Sequence, residues 1–444
     1  MKKFVKWIAG IILVLLLLAV SLVGPIDRTP LKEQPFYQNM MAKLDTLKPS
    51  VHPATQALKI GWANANITPS YPMPMAGYTP RPKFESVHDS LYARVLAIDN
   101  GSITSYLIST DLMLFPPALR ERIEQKLEQA QVKNYFLYLS ATHTHNGVGG
   151  WNDSILGKLV LGDYHDEWIE QSAQLIVRKI VEANASKQEA KLSYFESDLS
   201  EWVDNRIAFD QGKTDGILRG LSIERKDGSK GILLTFSAHA TSITKKSLQL
   251  SGDYPAEVVK KLKSKGWNFG MFMAGMVGSH RFKWMPEKDF ELVTRSADIL
   301  VTKMDTAVFT PAPDSLTIKT MHVPIEFGPS QLRIEKNWRA RDWVFRGLVY
   351  PLKGELTFLE IGDIIFIGTP CDFSGEIFTS EQMNKWAPGK HLIITSFNGD
   401  YAGYITYDKH YEVVTKDEVM TMNWVGPYYG TYFTDMVKAL VEKR

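Results

Sequence analysis

The sequence predicts an α/β protein in which mixed β-sheets pack with flanking helices in one large domain. Short apolar runs rich in β-branched and aromatic residues alternate along the chain with amphipathic runs of helical period. The chain has 444 residues, of which 44% are hydrophobic and 23% charged, so it can bury a large core. It contains neither an internal repeat nor a low-complexity block.

The N-terminus carries a basic segment followed by an apolar helix. Three lysines within the first six residues precede an uncharged run from Trp7 to Ile26. At 1.5 Å rise per residue, about 20 residues span a hydrocarbon layer of about 30 Å. The lysines favour the cytoplasmic side, so the rest of the chain faces outward. We expect residues 1–26 to form a transmembrane anchor that holds an extracytoplasmic body on the membrane.

A cleaved signal peptide is the alternative for this segment. Ala19-Val20-Ser21 is similar to a small-x-small cleavage site, and cleavage would give a secreted protein. Both outcomes export the body of the chain. Residues 27–57 contain several prolines among mixed polar residues, which predicts a linker or a short helical lead-in between the membrane and a domain over residues 58–444.

From residue 58 onward the predicted elements alternate. Proline at the start of residues 116–130 and the apolar period of residues 166–183 indicate helices, and the β-branched runs before and after them indicate strands. The further strands are predicted at 91–100, 102–114, 134–145, 191–199, 231–241, 354–370 and 391–405, and the further helices at 253–266, 286–306, 374–387 and the C-terminus. The segments 58–69, which opens the domain, 269–280, which is apolar, and 315–327 are not assigned to a type.

The charge balance argues against nucleic acid as a partner, and the cysteine content excludes cysteine-based zinc sites and disulfides. Lys plus Arg total 51 against 49 for Asp plus Glu, a net charge of +2 without a basic stripe, so nucleic acid is not an expected partner. The single cysteine, Cys371, can form neither an internal disulfide nor a thiolate cage for zinc. Any metal site must use His, Asp, Glu or Tyr.

The stretch "SATHTHNGVGG" places two histidines at the end of an apolar strand. Because residues i and i+2 of a strand share a face, His143 and His145 would project toward one point, as in half of a metal site. The glycines that follow allow a sharp turn and leave room for a substrate. Histidines that only make hydrogen bonds at a strand end are the alternative.

Further metal-ligand candidates follow other apolar strands. His239 ends one strand, and Asp372 and Glu376 follow another. Glu376 could instead compensate the dipole of the helix that begins there. A glycine-containing loop adds four tyrosines, for which core packing is the alternative, namely Tyr401, Tyr404, Tyr407 and Tyr411.

These motifs occur together in the order of a known family. The segments "GWANANITP", "MAGY", "ISTDLM", "SATHTHNGVGG", "DNRIAF", "FSAHAT", "GEIFTS" and "GYITYDKHY" resemble the N-terminal catalytic domain of the neutral/alkaline non-lysosomal ceramidases, from about Ile60 to Pro427. The resemblance implies a zinc hydrolase that cleaves the amide bond of ceramide to a sphingoid base and a fatty acid, by attack of zinc-activated water. The family's C-terminal immunoglobulin-like domain has no expected counterpart.

The resemblance assigns roles position by position. It implies four Zn²⁺ ligands, His143, His239, Glu376 and Tyr404. It implies catalytic roles for His145 and Arg206, and substrate-binding roles for Gly77 and Ser279. The segment "MAGMVGSH" departs from the family because the aspartate expected before the serine is absent, and "EVVTKDEVMT" lacks an expected tyrosine.

These departures leave the substrate open. The expected partner is a lipid-like small molecule, either ceramide or a related N-acyl lipid. A zinc amidase or esterase acting on a different N-acylated or lipid-like substrate is one alternative. A membrane-anchored binding protein that keeps the fold without catalysis is the other.

Overall fold

The chain begins with the predicted apolar helix. The computed structural model describes residues 2–78 and 80–442, so the outermost residues of the predicted segments 1–26 and 58–444 lie outside the described part. Helix α1 extends away from the body, with none of its apolar window buried. The first elements are α1 (Lys2–Leu22), β1 (Val23–Pro25), α2 (Pro35–Thr46) and β2 (Ser50–His52).

The central part of the chain supplies most of the strands. Pro117 occupies the first turn of α3, where its missing N–H costs no hydrogen bond, and Ser154 caps α4. In order, the elements are β3 (Lys59–Asn66), β4 (Ser86–Val87), β5 (Tyr92–Asp99), β6 (Thr104–Thr110), α3 (Pro117–Gln129), β7 (Tyr135–Ala141), α4 (Ile155–Leu161), α5 (Asp166–Ala185), β8 (Gln188–Asp198), β9 (Val203–Asn205), β10 (Ile217–Arg225), β11 (Lys230–Phe236), β12 (Gln249–Leu250), α6 (Asp253–Ser264), β13 (Phe269–Ala274), β14 (His280–Phe282), α7 (Asp289–Met304) and β15 (Val308–Pro311).

Three predicted elements of the last part differ in the structure. The strand expected over 354–370 is a hairpin of two strands, with Gly362 at φ +59° in the turn. The helix expected over 374–387 ends at Ser380, because Gln382 adopts a left-handed backbone with φ +51°. The strand expected over 391–405 divides into two at a loop in which Gly399 and Gly403 have positive φ. The elements are β16 (Ile318–Pro324), β17 (Arg333–Glu335), β18 (Trp338–Ala340), α8 (Asp342–Leu348), β19 (Glu355–Ile361), β20 (Ile364–Gly368), β21 (Asp372–Phe373), α9 (Gly375–Ser380), β22 (His391–Thr395), β23 (Tyr404–Ile405) and α10 (Tyr429–Glu442).

The larger sheet curls until its two edges meet. It has nine strands, in the order β13-β11-β10-β8-β3-β5-β6-β7 with β15 paired to β8. The edge strands β13 and β7 nevertheless contact each other, and the Ser109 hydroxyl on β6 donates to the Phe272 carbonyl on β13 at 2.5 Å. Residues that are far apart along the sheet therefore come close at this seam.

A five-stranded sheet, β2-β16-β19-β20-β22, packs against the curled sheet. Apolar side chains of both sheets, such as Leu107 and Phe366, form one core between them. Helices α3 and α5 cover one half of the outer face of the large sheet, α6 and α7 cover the other half, and α2, α9 and α10 cover the smaller sheet. This helix–sheet–sheet–helix arrangement confirms the predicted α/β class.

Within the two large sheets, three pairs of neighbouring strands are parallel, namely β6–β7, β11–β13 and β20–β22. Each pair is connected through a helix, by α3, α6 and α9 respectively. In such units the loops after the carboxyl ends of the strands carry the residues of a site. The predicted site residues His143, His239 and Asp372 all follow strands of these pairs.

Residues 27–57 contain the helix α2 and the strand β2, which pack on the body, so the helical alternative describes this segment better than a free linker. Met40 and Leu44, one turn apart on α2, are fully buried against the helical layer that contains α10. Strand β2 pairs with β16, and the Tyr37 hydroxyl donates to Asp435 on α10 at 2.8 Å. Prolines flank this segment, but its apolar residues keep a helical spacing, so it folds into the body.

The substitution Met40→Ala tests this packing. It removes a fully buried side chain, and we expect it to lower the free energy of unfolding by about 2–5 kcal/mol. Asn39→Ala, at the exposed neighbouring position, is the matched control and should change it little. Urea denaturation measures both, and equal stability of the two variants would contradict the packing of α2.

Candidate metal centre

Three histidine rings converge where strands β7 and β11 end. His143 and His145 follow β7, and His239 follows β11. The Nε2 atom of His143 lies 2.8 Å from Nε2 of His239 and 3.2 Å from Nε2 of His145. One ligand atom from each ring lies within 4.8 Å of the others. The geometry brings together the predicted pair and the distant third histidine.

The far side of two of these rings is fixed by the backbone. The Nδ1–H of His143 donates to the Met113 carbonyl at 2.5 Å, and that of His239 donates to the Val277 carbonyl at 3.1 Å. Burial lowers the pKa of His143 to about 3 and that of His239 well below its ordinary value, so both rings are neutral.

A neutral imidazole carries one N–H proton. In His143 and His239 this proton lies on Nδ1, where it makes the hydrogen bond to the carbonyl, so Nε2 has a free lone pair. Two Nε2 lone pairs therefore face each other at 2.8 Å, an arrangement that a cation between them would stabilise. The donor set consequently fits a metal ion.

His145 differs from the other two histidines. It is only partly buried, and its Nδ1 is an enclosed atom without a hydrogen-bond partner in the described part of the chain. The Tyr78 ring lies 5.1 Å away, and a Cβ added to Gly77 would lie 2.5 Å from the Cα of His145. Burial, together with His143 and Arg206, lowers the pKa of His145 well below its ordinary value, so this ring is also neutral. Because no backbone carbonyl in the described part of the chain fixes its tautomer, its one N–H proton can lie on either nitrogen. Gly77, predicted to contact substrate, lies directly against this histidine.

Asp372 and Tyr404 complete the cluster. They are paired residues of the short parallel ladder between β21 and β23, which places their side chains next to each other. Asp372 Oδ1 lies 3.4 Å from His143 Nε2, and the Tyr404 hydroxyl lies 3.4 Å from His239 Nε2. The other oxygen, Asp372 Oδ2, accepts a hydrogen bond from Tyr401 at 2.7 Å. Burial raises the pKa of the Asp372 carboxyl to about 7.

Glu376, which the resemblance assigned as the carboxylate ligand, lies in a different cluster. Its Oε2 accepts from Asn205 at 2.8 Å and contacts His410 at 2.9 Å, and its Oε1 pairs with Lys409 at 2.8 Å. Although burial opposes ionisation, His410 and Lys409 lower the pKa of Glu376. Its charge is thus paired directly with Lys409, whereas Asp372 has no Lys or Arg within ion-pair distance in the described part of the chain and is influenced only through space by Arg206. The carboxylate that the structure places beside the histidines is Asp372.

Arg206 reaches the cluster from β9. Its Nη1 lies 3.1 Å from Nδ1 and 3.2 Å from Nε2 of His239, so the guanidinium covers that ring, and it lies 3.5 Å from the Tyr404 hydroxyl. Glu418 pairs with its Nη2, and Lys416 donates to its backbone carbonyl. Both residues come from the segment "EVVTKDEVMT", which sequence reasoning left without a role. The acid–base alternation in that segment was the only available signal.

Ser279 is not open to a substrate in the structure. The side chain is buried, and its hydroxyl accepts from the Ser374 hydroxyl at 2.8 Å and from the Glu376 N–H at 3.2 Å. Its carbonyl accepts from the Arg206 N–H at 2.8 Å. Ser279 therefore connects β9 to the start of α9, and its predicted substrate contact has no support in the structure.

The backbone is strained at the centre of the cluster. His143 has φ +64° and Phe397, after β22, has φ +68°, a left-handed conformation that costs non-glycine residues about 1–3 kcal/mol. The two rings stack with centroids 4.4 Å apart and an interplanar angle of 11°. Phe397, which sequence reasoning missed, thus holds the His143 ring flat against the end of β22.

Known proteins match the part of the chain that carries the three histidines. Residues 58–259 match the family model for neutral/alkaline non-lysosomal ceramidase, N-terminal. The neutral ceramidase of Pseudomonas aeruginosa is 26% identical over 213 residues, which cover 44% of this chain and 32% of that protein. That of Mycobacterium tuberculosis is 24% identical over 186 residues, covering 38% and 29%. Over these residues the chain is similar to the neutral ceramidases. These alignments span about a third of each relative's length.

Solved ceramidase structures share the fold. A crystal structure of neutral ceramidase from Pseudomonas aeruginosa superposes with a TM-score of 0.74 at 18% identity, covering 87% of this chain and 75% of that one. A structure described as ceramidase complexed with C2 gives 0.71 at 17% identity, covering 87% and 76%. The family model includes Gly77, His143, His145, Arg206 and His239, whereas Asp372 and Tyr404 lie beyond it.

Substitution of the two carboxylates distinguishes the ligand assignments. Asp372→Asn removes the anionic oxygen beside His143, and we expect the purified variant to lose stoichiometric zinc. Glu376→Gln is the matched control and should keep zinc, because its carboxylate contacts Lys409, His410 and Asn205. Inductively coupled plasma mass spectrometry measures the metal content. The reverse pattern would restore Glu376 as the ligand.

Gly77→Ala tests the contact behind His145. The new Cβ would meet the Cα and Cβ of His145 at 2.5 Å, in a backbone with φ +72° that L-residues rarely adopt. We expect the displaced ring to lower turnover by about 10²-fold while zinc stays bound. Gly228→Ala, also at positive φ but in open space, controls for backbone strain. Unchanged turnover of Gly77→Ala would contradict the close contact.

Proposed function

We propose that this protein is a zinc-dependent hydrolase that cleaves the amide bond of ceramide or a related N-acyl lipid, giving a fatty acid and an amine. The observation that carries the proposal is the pair of neutral imidazoles whose Nε2 lone pairs face each other beside Asp372 and Tyr404. The relation to proteins named neutral ceramidases supports the substrate class.

Four side chains would hold the metal, namely His143, His239, Asp372 and Tyr404. When bound, zinc supplies Lewis acidity that activates water and polarises an amide carbonyl. The carbonyls of Met113 and Val277 keep the two imidazoles in the tautomer that a metal requires. Tyr401 holds the second oxygen of Asp372 and so aims the first one at His143.

His145 is suited to move a proton. Its ring adjoins the two ligand histidines, with its Nε2 3.2 Å from that of His143, yet its Nδ1 is not tied to the backbone. Amide cleavage requires a proton on the leaving nitrogen, and a histidine can take one at one ring nitrogen and give it up again. Gly77 and Tyr78 keep the ring in place while this happens.

Arg206 is suited to stabilise negative charge. Its guanidinium is held at Nη2 by Glu418, while Nη1 faces the His239 and Tyr404 side of the cluster. A fixed cationic donor at this position would bind a developing oxyanion, and loss of one such donor typically lowers kcat by about 10²–10³-fold. Glu418 thus fixes the position of the donor without touching the substrate.

We place the body outside the cytoplasm, held on the membrane by α1. The helix from Lys3 to Leu22 is long and apolar enough to span a bilayer, with a mean hydropathy of 2.6, and lysines mark its cytoplasmic end. Such an anchor would keep the metal centre close to a lipid substrate. Cleavage after this segment would instead release the body.

A substrate panel tests the function directly. Zinc-loaded protein is incubated with ceramides of different chain lengths, N-acyl amino acids and simple esters, and the products are identified by mass spectrometry. We expect release of fatty acid and sphingoid base from ceramide. Hydrolysis of other N-acyl compounds or esters alone would favour the alternative amidase or esterase, and the absence of any turnover would favour a binding protein.

His145→Gln tests the proton-transfer role. Glutamine keeps polar atoms at the site but cannot exchange a proton near neutral pH, so we expect turnover to fall by about 10²–10⁴-fold. The zinc content should stay stoichiometric, because His145 lacks the backbone hydrogen bond that marks the two ligand histidines. His143→Gln is the contrasting variant and should lose zinc and turnover together. Normal turnover of His145→Gln would remove this residue from the mechanism.

A further inference from the structure

The anchor helix continues into the body without a flexible connection. Strand β1 starts at Val23, directly after α1 ends at Leu22, and pairs with β18. The Arg341 N–H donates to the Leu22 carbonyl at 2.9 Å, and its Nε donates to the Val20 carbonyl at 2.7 Å. The Trp343 indole N–H donates to the Ser21 carbonyl at 3.0 Å. The last turn of α1 is therefore bonded to the segment around α8.

These bonds fix which residues lie at the level of the lipid headgroups. A span of about 20 residues fills the hydrocarbon layer of about 30 Å, so the end of α1 lies at the membrane–water interface. The remainder of its apolar surface has no protein cover, since none of the window is buried. Because Trp343 contacts the last turn of α1, its side chain must lie at the same depth.

Apolar and aromatic side chains are exposed around this point. Trp338 on β18 and Ile334 on β17 belong to the small sheet that contains β1. Helix α4 packs against α8, and the Tyr350 hydroxyl after α8 donates to Asp153 just before α4. On α4, Ile155 and Leu159 are one turn apart and both exposed. The exposed set, which we call the collar surface, is Ile155, Leu159, Ile334, Trp338, Trp343 and Tyr350.

We propose that the collar surface docks on the outer leaflet of the bilayer and sets one orientation of the body on the membrane. Its occupant is the lipid interface, because the surface is continuous with the end of the anchor and rich in the tryptophan and tyrosine that this interface favours. The proposal rests on α1 being retained as an anchor.

The docked orientation bears on substrate access. Ile155 follows His145 by ten residues, and the loop between them is held by bonds from Gly149 to Pro74 and from Gly150 to Leu161 at the end of α4. Insertion of α4 into the interface would therefore place a short, ordered loop between lipid and the metal centre. A lipid substrate in the bilayer could then reach the metal centre without crossing bulk water.

Fluorescence quenching tests the docking in the full-length chain. Cys371 is fully buried, so a cysteine introduced at Leu159→Cys can be labelled alone with an environment-sensitive fluorophore. Val181→Cys is the matched control: it is 52% exposed against 65% for Leu159, and lies about 22 Å along α5 from the end nearest α4. Each labelled protein is reconstituted into phosphatidylcholine vesicles with or without doxyl-labelled phosphatidylcholine.

We expect doxyl lipid to quench the label at position 159 and to leave the label at position 181 unchanged. Equal quenching at the two positions, or none at 159 in protein that floats with the vesicles, would overturn the docking. Protein that fails to float with the vesicles would overturn the anchor and with it the docking. The readout requires no turnover, so a failure of the proposed hydrolysis leaves the result interpretable.

Discussion

The curl of the nine-stranded sheet is the constraint on which the metal centre depends. His143 follows β7 at one edge, and His239 follows β11, next to the opposite edge strand. In a flat sheet, six steps of about 4.8 Å would separate these strands by about 29 Å. In the structure the two Nε2 atoms are 2.8 Å apart, because the sheet curls until β6 and β7 meet β13. The bond from Ser109 to Phe272 belongs to this seam.

The two acidic residues that follow β20, Asp372 and Glu376, differ in the positive charges that surround them. Glu376 is accompanied by Lys409 and His410, which keep it ionised although it is buried. Asp372 is equally buried, has two tyrosines beside it, and keeps a pKa raised to about 7. A bound cation would supply the positive charge that Asp372 lacks. Glu376 is thus held by its own partners at the start of α9, and Asp372 is the carboxylate that we propose as the metal ligand.

Local patterns in the sequence predicted the alternating strands and helices and the shared direction of His143 and His145, and the family resemblance implied that His143 and His239 belong to one site. They could not choose between Asp372 and Glu376, because both follow the same strand. The choice depends on Lys409, His410 and Tyr404, which approach from a later part of the chain. For residues 27–57 the sequence left a linker and a short helix open, because prolines interrupt the segment, and its packing on the body depends on α10 and β16 from a later part of the chain. The resemblance could not show that the Ser279 hydroxyl is hydrogen-bonded to Ser374 and to the Glu376 N–H, because motif order carries no information on such contacts.

Anomalous diffraction at the zinc absorption edge, from crystals of the zinc-loaded protein, tests the central claim most directly. The account predicts one strong peak enclosed by Nε2 of His143, Nε2 of His239 and the carboxylate of Asp372, close to the Tyr404 hydroxyl. A peak between Glu376 and His410, or the absence of a peak at the three histidines, would contradict it.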